Sequence, residues 1–205
     1  MTATQDPSSP VASSFYDLSA ALGLLAQLRY LDALWTAAAH QASQVQGSER
    51  STQVSTTTAV VDAVDSAFQE LAKLAPRLEE LFAKHQDTEG TEAFLSTLSL
   101  SGQARARELL TGKGNPAQAA REVVSGLPAT ATREMTTIRS EVDKLSRGAD
   151  ATGDFSTQTE AQLAALALGV TFIAGPEAGA GVEILAHAGE AIVGLASSIW
   201  DWLTS

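Results

Sequence analysis

VSTTTAVVDAVDSAFQELAKLAPRLEELFAKH, residues 54–85, decides the fold. Val54, Thr57, Val61, Val64, Phe68, Leu71, Ala75, Leu78, Phe82 and His85 recur there in steps of three and four, the spacing that lines side chains along one face of an α-helix. A helix of that length extends about 45 Å at 1.5 Å per residue. Pro76 interrupts the pattern and is expected to kink or divide it, because proline has no amide to donate. Upstream, from about Ser14, Leu24, Leu28, Leu31, Trp35, Ala38, Ala42 and Val45 form a second stripe that Gly47 ends. Only residues 46–50 separate the two, so they read as an antiparallel hairpin with facing stripes and with Trp35 and Phe68 buried between helices.

Shorter periodic stretches follow over residues 92–100 and 101–110. Asn115 then sits where a cap belongs, with Pro116 at the first helical position and Gly126 as the stop. Residues 130–147 carry a stripe of Met135, Ile138, Val142 and Leu145, and GADATGDF, residues 148–155, reads as a linker. Thr157 and Glu160 match a capping box that opens the C-terminal unit. No alternation of period two is sustained and no solenoid-like repeat occurs. The expected fold is all-α: a helical bundle with a long antiparallel hairpin and a C-terminal hydrophobic helical hairpin. Its divisions are a disordered arm over 1–12, a bundle over 13–147, a linker over 148–156 and the hydrophobic hairpin over 157–205.

The charges are one-sided. All 13 Lys and Arg precede Gly148, and the net charge is -11. Nucleic-acid affinity comes largely from cations displacing counterions on phosphate, so a nucleic-acid partner is excluded. With no cysteine there is no disulfide, thiolate metal site or cysteine nucleophile. The opening MTATQDPSSP has neither the basic start nor the apolar run of a secretory signal. The expectation is synthesis in the cytoplasm, export or delivery by a leaderless route, and membrane association when active.

The cation-free region has its own order. Residues 161–176 carry no charge, residues 175–181 (GPEAGAG) read as a turn, and residues 182–203 form a second apolar arm. The candidate membrane-inserting residues are Leu163, Leu166, Leu168, Val170, Phe172 and Ile173 on the first arm. Ile184, Leu185, Ile192, Val193, Leu195, Ile199, Trp200 and Trp202 follow on the second. Glu177 lies in the turn, and Glu183, His187, Glu190, Gly194, Ser197 and Asp201 recur every three or four residues as one polar stripe. A bilayer core about 30 Å thick needs about 20 apolar residues, more than the first arm offers. Each carboxylate at mid-membrane adds roughly 2.5 to 3.5 kcal/mol, so insertion is expected to be conditional on protonation or self-association.

LAALALGVTFIAGPEAGAGVEILAHAGEAIVGL, residues 163–195, resembles in pattern the apolar hairpin of α-helical pore-forming toxins, the colicin-like pore domains and diphtheria-like translocation domains. The resemblance implies a helical bundle that hides an apolar hairpin, inserts it into a membrane and oligomerises to permeabilise it. The partners then expected are membrane lipid, under the right conditions, and further copies of the chain. The residues also admit a second reading, since a buried helix can be apolar all round. On that reading the chain is a helical scaffold or adaptor that binds a helical protein partner through the hairpin or the long helices.

Other chemistry finds little footing. Glu183, His187 and Glu190 share a face and can ligate metals, but neither His40 nor His85 belongs to a ligand pair that would complete a site. Asp150 and Asp154 lack the further oxygen ligands of a calcium loop. Gly112-Lys113-Gly114 follows no strand and reads as a helix break, not a phosphate cradle. No nucleotide, nucleophile-elbow or two-histidine zinc motif occurs. The expectation is no enzyme, no cofactor and no metal.

Overall fold

The computed structural model describes residues 10–98 and 100–188, with side chains over 14–98 and 100–174. It is an all-α bundle: α1 Pro10–Gln44, α2 Gly47–His85, α3 Thr91–Leu95, α4 Leu100–Leu109, α5 Pro116–Val124, α6 Leu127–Ser146 and α7 Thr157–Ala188. No strand occurs among the described residues.

The two stripes meet as their spacing requires. Leu28, Leu31, Trp35, Ala38 and Ala42 of α1 are buried, as are Val61, Val64, Phe68, Leu71, Leu78 and Phe82 of α2. The turn is tighter than expected, because α1 runs to Gln44 and α2 begins at Gly47. Gly47 makes this possible with a φ of 65°, a conformation a side chain disfavours. α2 is not divided at Pro76: proline's φ is already helical, so the loss is confined to one hydrogen bond and local crowding, and the buried face carries on past it. At the other end of the chain, residues 10–12 of the expected arm are helical. Pro10 is the first residue of α1, a position where its missing amide has no helical partner to lose; residues 1–9 lie outside the described part.

α5 starts as its sequence predicts. The Asn115 side chain accepts from Gln118 N at 2.9 Å, with Pro116 next in the helix. The same amide donates to the carbonyls of His85, Gln86 and Thr88, so one buried residue caps α5 and fastens the end of α2. α6 lies along α2, and α7 runs between α5 and α1, with α2, α3 and α4 also against it.

One expectation at the C-terminal end is corrected. The backbone remains helical through residues 175–181, so α7 is one helix of 32 residues and the expected turn is absent. Gly can adopt right-handed helical angles and Ala favours them, so glycine and proline lower helix stability here without forbidding it. Residues 148–156, expected as a linker, join α6 to α7 and are pinned against α1 and α6 through contacts described next.

Candidate functional site

The site is the seat of α7, a polar clasp around its first residues followed by an apolar sleeve. The clasp begins on α1. Thr36 Oγ1 donates to the Gly153 carbonyl and lies 2.9 Å from Asp154 Oδ1. A Cβ on Gly153 would stand 2.5 Å from Thr36 Cα, so only glycine lets this segment lie so close to the helix. One turn earlier on α1, Asp32 Oδ1 accepts the Phe155 N–H at 3.0 Å. The Phe155 ring packs on Phe68 of α2, with centroids 5.6 Å apart.

α6 supplies the second half of the clasp. The Glu134 carboxylate accepts the Ser156 N–H at 2.9 Å and the Ser156 hydroxyl at 2.8 Å, and it also accepts from Thr159 Oγ1. Ser156 Oγ in turn lies 3.3 Å from Thr159 N. Ser156 is therefore the residue that caps α7, in place of the expected Thr157–Glu160 box. Within one helix, a capping box would have its own Glu reach back to the cap amide; here Glu134 of another helix does so. Thr130 of α6 adds a bond to Gln162 at 2.8 Å. Carboxylates gathered at a helix N-terminus are favoured by the partial positive charge of its free amides.

Asp32 and Glu134 are both buried, at 5% and 2% exposure, with different surroundings. Asp32 has Arg29 Nη1 at 3.4 Å, and the same guanidinium lies 3.8 Å from Glu160. Burial strips water from the Asp32 carboxylate and pushes its pKa from 3.8 up to about 6. The Phe155 amide and Arg29 oppose that rise, and Glu160 and Asp154 add to it.

Beyond the clasp, the first half of α7 is enclosed. Residues 163–170 are buried without a break, and Phe172 and Ile173 are buried after them. Leu163, Leu166, Leu168, Val170, Phe172 and Ile173, expected to meet lipid, pack here into the common core. Phe172 meets Phe94 of α3 edge to face at 5.4 Å. Gly169 marks the closest approach: a Cβ there would stand 2.2 Å from Ala120 Cβ and 2.9 Å from the Pro116 carbonyl oxygen of α5. Thr171 turns its hydroxyl back onto the Ala167 carbonyl of its own helix at 2.8 Å.

Glu177, Glu183, Ile184, Leu185 and His187 fall on the helical backbone of α7, and their side chains lie outside the described part. Glu190, Ile192, Val193, Leu195, Ile199, Trp200, Asp201 and Trp202 lie beyond the described residues altogether. Among the described residues no helix is long and apolar enough to cross a membrane, and no group of three side chains could hold a metal ion. Lys113 of the glycine pair is engaged with Glu122, as suits a helix break.

Sequence reading missed Asp32 and Glu134. The available signal was a carboxylate set on an apolar face: Asp32 lies four residues after Leu28 and three before Trp35, and Glu134 lies three after Ala131 and four before Ile138. No known protein family, curated protein or solved structure matches the chain, so its site is read from its own residues alone.

Proposed function

We propose that the bundle is a sheath for an apolar C-terminal helix, which it transfers to a membrane and, by self-association there, uses to permeabilise it. The observation that carries this reading is the division of the α7 seat into a polar clasp and an apolar sleeve. From Leu163 to Ala174 every side chain except Thr171 is apolar, and Thr171 is satisfied within its own helix. Neighbouring helices therefore hold this run by apolar packing, which lipid tails can replace, while the hydrogen bonds to α1 and α6 sit at its start. The uncharged run over residues 161–176 extends about 24 Å, short of a hydrocarbon core of about 30 Å, so entry has to draw in the acidic residues that follow it.

Charge sets the condition. Glu177 and Glu183 lie on α7 and Glu190 and Asp201 follow, with no Lys or Arg after Arg147. Their ionised forms oppose entry into lipid, and protonation at acid pH removes that barrier. Asp32 acts in the opposite sense. Its raised pKa means that acid favours the closed clasp, so the acid trigger belongs to the carboxylates of the C-terminal region and not to Asp32.

The test uses dye-loaded vesicles and the full chain carrying Trp35→Phe, which leaves Trp200 and Trp202 as reporters. The expected result is dye release, and tryptophan quenching by brominated lipid, that are stronger at pH 5 than at pH 7.5. Replacing Glu177, Glu183 and Glu190 together by Gln moves both toward neutral pH. Neither leakage nor quenching at either pH refutes the proposal and leaves α7 as a core helix.

A further inference from the structure

Among the described residues, none packs over the outward face of α1. Tyr16, Ala20, Gly23, Gln27, Tyr30 and Ala37 follow one another along it at heptad-related spacing. Tyr16 is 64% exposed and Tyr30 63%. The charged side chains of α1 are turned away from this face: Asp17 is bonded to Arg77 at 3.0 Å, and Arg29 lies against Asp32 and Glu160.

Gly23 is the telling residue. A glycine in a helix interior is about 1 kcal/mol less favourable than alanine, and here a Cβ would meet no atom within 4 Å. Nothing among the described residues requires its small size, as Ala120 requires that of Gly169. A glycine on an exposed helix face lets another backbone come close. The face is also symmetric about it, with Tyr16 seven residues before and Tyr30 seven after. Two such helices laid antiparallel place Gly23 opposite Gly23, and each Tyr16 level with the other copy's Tyr30. That is the self-complementarity a two-fold contact demands.

Charge limits where two copies can meet. Copies of a chain at -11 repel one another, and α2 and α6 carry exposed acids such as Glu70 and Asp143. The face of α1 from Tyr16 to Tyr30, which antiparallel pairing about Gly23 lays against itself, offers about 21 Å of surface without Asp, Glu, Lys or Arg, so like charges are not pressed together there. We propose that α1 pairs antiparallel with α1 of a second copy, centred on Gly23, to form a two-fold dimer. This contact uses no residue of the α7 seat and stands whether or not α7 reaches a membrane.

Because the chain has no cysteine, single introduced thiols report the geometry directly. With the full chain under mild oxidation, Gly23→Cys is expected to form a disulfide-linked dimer. Tyr16→Cys alone and Tyr30→Cys alone should not, while a mixture of the two should. Sedimentation should show a dimer for the parent whose Kd rises at least tenfold in Tyr30→Glu, with helicity unchanged by circular dichroism. Gly23→Ala provides a second reading that a purely internal role would not give: the dilute monomer becomes more heat-stable while the dimer weakens. A parent that stays monomeric at 100 µM overturns the proposal, as does efficient cross-linking of Tyr16→Cys with itself. A dimer untouched by Tyr30→Glu overturns it too.

Discussion

Replacing Asp32 by Asn is expected to stabilise the protein at neutral pH, although it removes a charge that accepts a backbone hydrogen bond. Folding raises the Asp32 pKa from 3.8 to about 6, with burial as the largest cause. At about 1.4 kcal/mol per unit, keeping this carboxylate ionised in the fold costs roughly 3 kcal/mol. The sign follows from the direction of the shift. The folded state holds the proton more tightly, so this group's stabilising contribution is complete below about pH 4 and is lost as pH rises through about 6. Asn keeps an oxygen for the Phe155 N–H and carries no charge. It gives up the 3.4 Å contact with Arg29, a partly exposed pairing of the kind worth about 0 to 1 kcal/mol. The net gain is about 2 kcal/mol at pH 7.5, or roughly 4 to 8 °C in Tm for a chain of this size. Thermal melts of parent and variant from pH 4 to 8 provide the assay. Asp65 and Glu141, whose pKa values are lowered by Arg139 and Lys144 respectively, lose their stabilising contribution as pH falls, but they do so in both proteins and cancel in the difference. That difference should grow from pH 4 to about 6.5 and then level off. A variant less stable than the parent at pH 7.5, or a difference that does not change with pH, refutes the burial argument.

Two further substitutions test the packing. Gly169→Ala puts a methyl within 2.2 Å of Ala120 Cβ and should destabilise by about 1 to 3 kcal/mol, the usual range for overpacking; a Tm equal to the parent's would show that α5 and α7 are not held at this distance. Trp35→Ala empties a site with no exposed surface and should cost about 3 to 5 kcal/mol in chemical denaturation, so an unchanged midpoint and slope would break the pairing of α1 with α2.

The helices that the sequence by itself determined are those whose information is local. The three-and-four spacing of Val61, Val64, Phe68 and Leu71 defines a buried face whatever covers it, and Asn115 before Pro116 specifies a helix start within four residues. Tertiary structure alone decided which element would cover the apolar run of α7. An all-round apolar helix has the same spacing in lipid as in a core, and its burial here depends on α1, α2 and α5 arriving from far along the chain. The same dependence acts at the joints. GADATGDF has the composition of a free linker, yet it is held because Thr36 and Asp32, more than a hundred residues earlier, meet its backbone. Residues 175–181 have the composition of a turn, yet the helix continues, since glycine and proline impose local penalties of about 1 to 3 kcal/mol each that set a preference and leave the outcome to the rest of the fold. The Ser156 cap depends on Glu134, 22 residues away and on another helix, a distance over which no local pattern carries information.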